Sequence, residues 1–243
     1  MACKAVTKDT AILRPWLHYR VTVMNRPGAG YGQLINALEV MSVRSQLSHA
    51  TFLFMSGDRY PDDQYIETAL CDRLPGLHLT YGALIERFAD GAPPLGLAPR
   101  ITFLRRILAS IPTQNLILVG RSSGGRVITR LAAEFTDISP MAGIVCLGYP
   151  FRHPEKAHEP DRVDHLTRVS VPTLILQGDQ DEYGDKSAAL LYPLSTSTQL
   201  EFIAATHVLR LQPENWDALA DRICRFAADR MSQPSLLSRT GSI

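Results

Sequence analysis

Short apolar runs alternate along the chain with longer segments in which apolar residues recur every three or four positions. The short runs are mostly apolar on both faces, as the strands of a buried parallel sheet require. The predicted strands are Tyr19–Met24, Thr51–Met55, Leu116–Val119, Gly143–Leu147, Thr173–Leu176 and Thr198–Ile203. The predicted helices are Gln33–Gln46, Asp62–Leu74, Ile101–Ser110, Arg126–Phe135, Ser187–Leu191 and Pro213–Met231. This alternation predicts an α/β fold with a mostly parallel central sheet and helices on both faces.

The same pattern predicts a single domain over residues 1–231. No internal repeat or long linker interrupts it, and 243 residues fit one α/β domain. The segment Gly91–Pro99 is rich in proline and glycine and predicts a loop, because apolar patterning continues on both sides. It closes a longer stretch, residues 58–99, that has the length to cover a site as an insertion. The Ser-rich end, residues 232–243, is predicted to be a flexible tail.

Composition and charge narrow the classes of function. The chain carries 25 Lys and Arg against 24 Asp and Glu, and this balance argues against binding to nucleic acid or to a membrane surface. No apolar run reaches the roughly 18 residues of a membrane span, and the N-terminus lacks the apolar core of a signal peptide. The four cysteines lie far apart without a C-x-x-C pair, which argues against a disulfide framework. We therefore expect a protein of the reducing cytoplasm.

One motif carries chemistry. Gly120-Arg121-Ser122-Ser123-Gly124 matches G-x-S-x-G and stands between an apolar strand and a helix, as a nucleophile elbow does. Such a turn holds the central residue in a strained backbone and exposes its side chain at the carboxyl edge of the sheet. We predict that Ser122 is the nucleophile, and that Ser123, which lies off the centre, contributes its backbone N–H to an oxyanion hole.

A nucleophilic serine needs a base and an acid, which follow it in that fold in the order Ser, Asp or Glu, His. Asp179 and Asp181 both come just after a predicted strand. We favour Asp181 as the acid, because the longer approach gives its carboxylate room to reach a histidine, and we expect Asp179 to cap the loop. Of the seven histidines only His207 follows the acidic loop, so it is the predicted base.

A glycine-rich segment after the first predicted strand is the candidate for the second oxyanion donor. It reads Pro27-Gly28-Ala29-Gly30-Tyr31-Gly32, and we predict that Ala29 or Gly30 supplies the N–H. The rival interpretation is a dinucleotide-binding loop. The glycines here are spaced G-x-G-x-G, whereas a dinucleotide-binding loop has G-x-G-x-x-G. The acid that would bind the ribose should follow at a distance of about 20 residues, and the nearest one beyond the next strand, Asp58, lies farther on. We therefore expect no nucleotide cofactor.

The segment Arg152–His165 holds three histidines and several acids and resembles a metal site at first sight. Its spacing fits no H-E-x-x-H pattern, and it is polar on all sides and contains prolines. We interpret it as a solvated surface loop and predict no metal ion.

Three segments together resemble a known family. They are residues 120–127, Leu147-Gly148-Tyr149-Pro150-Phe151 with Pro154-Glu155-Lys156, and Val171-Pro172-Thr173-Leu174 through Gly178 and Asp181. The chain is similar to the α/β-hydrolases that include testis-expressed protein 30 and subunit 3 of the NSL complex, distant relatives of the dienelactone hydrolases. The resemblance implies an α/β-hydrolase fold with Ser122 as nucleophile, Asp181 as acid and His207 as base.

The resemblance also has two departures. The family often has H-G-A-G where this chain has Pro27-Gly28-Ala29-Gly30, and Met where it has Ser123.

These observations lead to one expected function and one alternative. We expect a serine hydrolase of the carboxylesterase kind that acts on a small ester-type substrate without a cofactor. The connection Gly148–Pro172 is too short for a large lid, so we expect an open site. The alternative is a non-catalytic binding scaffold that keeps the fold and a vestigial triad. The sequence does not determine the oligomeric state.

Overall fold

The structure is a computed structural model that describes residues 31–111, 115–135, 141–156 and 159–232, with side chains from residue 38 onward. The described helices are α1 (Tyr31–Gln46), α2 (Gln64–Cys71), α3 (Tyr81–Phe88), α4 (Leu97–Leu108), α5 (Ser123–Glu134), α6 (Lys186–Ala189) and α7 (Pro213–Met231). The described strands are β1 (Thr51–Met55), β2 (Leu77–Leu79), β3 (Leu116–Arg121), β4 (Gly143–Leu147), β5 (Thr173–Gly178) and β6 (Thr198–Ile203). Two short 3₁₀ helices, Pro160–Arg162 and Asp164–Arg168, lie between β4 and β5.

The strands of the described part form one parallel sheet. Their order is β2-β1-β3-β4-β5-β6, and every neighbouring pair runs parallel. The carboxyl ends of all these strands therefore meet at one edge of the sheet, where open α/β sheets place their sites. The predicted fold class, a parallel sheet with helices on both faces, is confirmed.

Alternate residues of the central strands supply two separate cores. On one face, Leu118 of β3 packs with α3, α4 and α5, and on the other Val119 packs with α2 and α7. This arrangement explains why the central strands are apolar without alternation, since both of their faces are buried. Among the described helices, none combines the length and the apolar character that a membrane span requires.

Most predicted elements are present, and the differences have simple causes. Strands β1, β4 and β6 and helix α7 have the predicted bounds, while Tyr19–Met24 lies outside the described residues. The sequence analysis missed β2, which has only three residues. It also missed α3, although Tyr81, Leu84 and Ile85 lie on one face and are buried. The segment Gly91–Pro99 is a loop only in part, because α4 begins at Leu97. Pro99 is tolerated in the first turn of this helix, since the N–H groups there need no partner within the helix.

Part of the stretch 58–99, for which the sequence allowed a site-covering insertion, contributes an edge strand to the sheet. Its central part forms α2, the edge strand β2 and α3. Leu84 of α3 is buried in the core, whereas Leu77 of β2 is exposed at the sheet edge. Asp58, at the start of this stretch, lies near the elbow, as described below, and the covering role of the stretch stays a prediction.

The interpretation of Arg152–His165 as a solvated loop is wrong at its C-terminal end. His165 and Val163 are buried against α5, with the Nε2 of His165 2.9 Å from the hydroxyl of Thr129. Burial, with nearby arginines, lowers the pKa of His165 to about 4, so this ring is neutral at physiological pH. The segment therefore packs on a helix and does not form a lid. The described residues hold no group of three or more His, Cys, Asp or Glu side chains suited to a metal ion.

Candidate active site

Ser122 occupies a strained turn between β3 and α5. Its backbone has φ 49° and ψ −120°, in the region of positive φ that residues other than glycine rarely adopt. A backbone hydrogen bond anchors the turn to β4, because the Ser122 N–H donates to the carbonyl of Leu147 at 3.0 Å. Strain of this kind persists only where the surrounding structure imposes it, and it is concentrated at functional sites. The predicted elbow geometry is thus present at Ser122.

Two glycines of the motif allow α5 to pack closely against the sheet. A Cβ at Gly120 would lie 2.6 Å from the Cα of Gly125, and one at Gly124 would lie 2.0 Å from the carbonyl oxygen of Met55. Both contacts are with backbone, which has little freedom to move away. These glycines are therefore required by the approach of the helix to β1 and β3.

We expect Gly124→Ala to lower the free energy of unfolding by about 3 kcal/mol or more, since the new methyl group meets backbone. For a chain of this length the loss corresponds to about 6–12 °C in Tm, measured by circular dichroism. Gly125→Ala is the matched control, because its Cβ would meet side chains at 3.3 Å or more and should cost much less. Equal losses in the two variants would contradict this account of the helix packing.

His207 and Asp181 meet Ser122 at the carboxyl edge of the sheet. The Oγ of Ser122 lies 2.9 Å from the Nε2 of His207. The Nδ1 of His207 lies 2.9 Å and 3.0 Å from the two carboxylate oxygens of Asp181. The carboxylate fixes a proton on Nδ1, which leaves Nε2 free to accept the serine proton. The structure thus brings together the three side chains that the sequence analysis selected as catalytic.

Asp181 is fully buried and held by donors on both of its oxygens. The backbone N–H of Tyr183 donates to Oδ1 at 2.8 Å, and the amide of Gln177 donates to Oδ2 at 2.9 Å. The sequence analysis did not single out Gln177, although a polar residue at the end of an apolar strand marks the edge where sites form. The competing Asp179 lies elsewhere and accepts from the backbone N–H of Ala205 at 3.3 Å. The structure therefore places Asp181, and not Asp179, against the histidine.

Aromatic rings form one wall beside the histidine. The ring of Tyr183 lies 4.2 Å from the imidazole of His207, centroid to centroid, and is tilted by 34°. The ring of His153 meets Tyr183 edge-on at 5.7 Å. His153 and Tyr183 thus extend the aromatic contacts outward from the imidazole of His207.

A second loop borders Ser122 on the side of β1. A Cβ at Gly57 would lie 3.3 Å from the Cβ of Ser122, so the loop that follows β1 lies directly against the elbow. The buried Arg100 ties this loop to α5, because its guanidinium donates to Asp58 and to the hydroxyl of Ser123 at 2.9 Å each. The segment for which the sequence analysis predicted the second oxyanion donor, Ala29 or Gly30, lies outside the described residues.

A small cavity lies behind the elbow, lined by apolar side chains and by a few charged ones. Its volume is about 10 Å³, which is room for about one water molecule, and Asp63, Glu67 and Arg121 are among its lining residues. The Oδ1 of Asp63 and the Nε of Arg121 are buried there without a hydrogen-bond partner in the described protein. Burial raises the pKa of Glu67 to about 7, which keeps a large share of this carboxyl group protonated near neutral pH.

The sequence matches a family model described as an alpha/beta hydrolase domain over residues 84–233, more than half of the chain. This match covers β3, α5 and the loops that carry Asp181 and His207. No curated protein matches the chain. The narrower resemblance to the testis-expressed protein 30 group therefore stays a prediction.

Solved structures of the same architecture are similar over most of the chain. Est1E from Butyrivibrio proteoclasticus is 14% identical with a TM-score of 0.53 and covers 76% of this chain and 90% of its own. A YdeN-like hydrolase from Pectobacterium atrosepticum is 19% identical with a TM-score of 0.53, covering 79% and 98%. A monoacylglycerol lipase from Paleococcus ferrophilus is 12% identical with a TM-score of 0.53, covering 74% and 94%. At these identities the likeness shows the fold alone.

Proposed function

The chain belongs to the alpha/beta hydrolase family, and on that premise we propose that it is a serine hydrolase that cleaves a small ester-type substrate. One observation carries the proposal. The Oγ of Ser122, in a strained turn, lies 2.9 Å from the Nε2 of His207, whose other ring nitrogen faces Asp181. A serine, a base and an orienting acid in this geometry are the components of nucleophilic acyl transfer.

In the proposed reaction Ser122 attacks the ester carbonyl. A bond forms between Oγ and the carbonyl carbon while the serine proton moves to the Nε2 of His207 and the carbonyl oxygen becomes an oxyanion. The C–O bond to the alcohol then breaks, and His207 returns the proton to the leaving oxygen. A water molecule, deprotonated in the same way by His207, then attacks the acyl carbon. The bond to Oγ breaks, His207 returns the proton to Ser122, and the acid is released. Asp181 stabilises the imidazolium in both halves of the reaction.

The oxyanion requires preorganised N–H donors. We propose Ser123 as one of them, because it begins α5 and the first N–H groups of a helix have no partner within the helix. Ala29, which the sequence suggested for the second donor, stays a prediction. The described loop after β1 supports an alternative source, the N–H groups of Gly57 and Asp58, since β1 is the strand next to β3 and this loop lies against Ser122.

A fluorophosphonate tests the proposed function without knowledge of the natural substrate. The reagent phosphonylates only a serine whose hydroxyl is activated, so an active hydrolase is labelled and loses its esterase activity in parallel. A folded protein that is neither labelled nor able to hydrolyse p-nitrophenyl acetate would contradict the proposal and favour the binding scaffold.

We further expect a preference for short acyl groups. The connection between β4 and β5 packs on α5 through Val163, His165 and Leu166 and leaves little chain to cover the site. Each added CH₂ contributes up to about 0.8 kcal/mol only where a wall buries it. A series of p-nitrophenyl esters should therefore show the highest kcat/KM for acetate to butyrate. A steady rise toward octanoate would instead reveal an apolar acyl-binding wall.

We place the enzyme in the cytoplasm. Cys71, Cys146 and Cys224 are free thiols in the described residues, and burial raises the pKa of each to about 12, so their thiols stay protonated and unreactive. Free cysteines fit a reducing compartment.

A further inference from the structure

Arg121 is a charged residue at the end of an otherwise apolar strand, directly before Ser122. It is buried, and its guanidinium extends across the carboxyl edge of the sheet. One terminal nitrogen donates to the backbone carbonyl of His207, and the other lies 3.3 Å from the carbonyl of Leu147 and 3.5 Å from that of Gly148. The side chain thus links the elbow, the end of β4 and the loop that carries the histidine.

The backbone around Arg121 leaves room for its guanidinium. Gly148 has φ +60°, and a Cβ there would lie 2.9 Å from the nearer terminal nitrogen of Arg121 and 3.3 Å from the Oδ2 of Asp181. The same Cβ would lie 3.6 Å from the Nδ1 of His207. A residue with a side chain at position 148 would therefore press against Arg121, Asp181 and His207.

The charge of Arg121 also faces the histidine ring. Its terminal nitrogen Nη1 lies 3.5 Å from the Nε2 of His207, while Asp181 lies at Nδ1. Besides these two groups, Ser122 contacts the ring and Tyr183 lies beside it. The imidazole is therefore placed between a carboxylate and a guanidinium.

The surroundings of Arg121 keep it charged in spite of its burial. Burial lowers the pKa of the guanidinium, and the nearby acids, Asp63, Asp181 and Glu182, and the phenol of Tyr65 act in the opposite direction. The ordinary pKa of arginine lies so far above neutrality that the group stays protonated.

From these contacts we propose that Arg121 is a positioning residue. It holds the His207 loop against Ser122, so that the Nε2 of His207 stays within reach of the serine hydroxyl. This inference rests on the proposed serine hydrolase function. It assigns a role to Arg121, the residue before the proposed nucleophile. The reaction of Ser122, His207 and Asp181 does not by itself require this role.

Substitution of Arg121 by a neutral residue separates this role from a structural one. Arg121→Gln removes the guanidinium that donates to the carbonyl of His207, so the histidine loop loses its link to the elbow. With p-nitrophenyl acetate as substrate we expect kcat to fall about 100-fold with little change in KM, whereas a purely structural role would lower Tm alone. Arg121→Lys keeps the charge but not the reach to several carbonyls, so we expect kcat lowered about tenfold or more.

The matched control is Arg44→Gln. Arg44 is also a largely buried arginine with a carboxylate and a carbonyl as partners, Asp221 and the backbone of Arg73, but it joins α1 to α7 away from the site. We expect this variant to lose stability while its kcat and KM stay close to those of the wild type.

The outcomes are distinct. An unchanged kcat in folded Arg121→Gln would overturn the inference, and so would a wild-type kcat in Arg121→Lys. If Arg121→Gln does not fold, the kcat of Arg121→Lys decides. A wild-type protein that is neither labelled by a fluorophosphonate nor active would instead remove the proposed function and this inference with it, whereas an active wild type with unaffected Arg121 variants would remove this inference alone.

Discussion

Ser122→Ala should abolish fluorophosphonate labelling and lower kcat for p-nitrophenyl acetate by at least about 10⁴-fold. The expected effect is large because the hydroxyl forms the covalent bond to the acyl group, and no other group can replace it in the elbow. The measurement is in-gel fluorescence of the labelled protein together with steady-state kinetics. The Tm of the variant should stay close to that of the wild type, since the change removes one atom from a partly exposed side chain.

The adjacent Ser123→Ala is the matched control for this prediction. The hydroxyl of Ser123 accepts from Arg100 and faces away from the histidine contacts, so its loss should leave labelling at least partly intact. Its backbone N–H, the proposed oxyanion donor, is unchanged by the substitution. Labelling of Ser122→Ala at the wild-type level would show that another residue is the nucleophile.

Asp181→Asn should lower kcat by up to about 10⁴-fold with little change in KM. The amide nitrogen of asparagine is a donor, so it cannot hold the proton on the Nδ1 of His207, and the ring adopts the wrong tautomer. The site cannot adapt by a simple rotation of the side chain, because Tyr183 and Gln177 donate to the two oxygens of Asp181. In either orientation the new NH₂ group faces a donor, so we also expect a lower Tm.

Asp179→Asn is the control for the choice between the two acids of this loop. Asp179 accepts from the backbone N–H of Ala205 and does not contact His207, so its substitution should cost on the order of 1 kcal/mol of stability and little activity. Kinetics and thermal unfolding of both variants provide the comparison. A large loss of kcat in Asp179→Asn with near-normal Asp181→Asn would move the acid to Asp179.

The grouping of Ser122, Asp181 and His207 was predictable because each position depends on chain order and local pattern. Strand β3 is wholly apolar up to the motif, and the flanking glycines need no distant information to be interpreted as a close turn. Asp181 and His207 follow from the order of acid and base, since His207 alone comes after the acidic loop. The choice between Asp181 and Asp179 was less secure, because both stand within three residues of the strand end.

The neighbours of the site were not predictable in the same way. The loop at Gly57 borders Ser122 because β1 pairs with β3 in the sheet, and strand order is a long-range property that periodicity does not contain. The burial of His165 is also a long-range property. The polar segment Arg152–His165 has the composition of an exposed loop, and only its contact with α5 in the folded protein buries its C-terminal end.

The sequence by itself determined the α/β class, the first residues of the central strands and the motif at Ser122, because these depend on side-chain polarity and on residues close together in the chain. Only the tertiary structure decided which loop lies against Ser122 and which of the two aspartates reaches the histidine. It also revealed that Arg121 extends from the elbow to the carbonyls of Gly148 and His207. These contacts join residues up to 86 positions apart, so their geometry is set by the order of the strands and the packing of both helical layers.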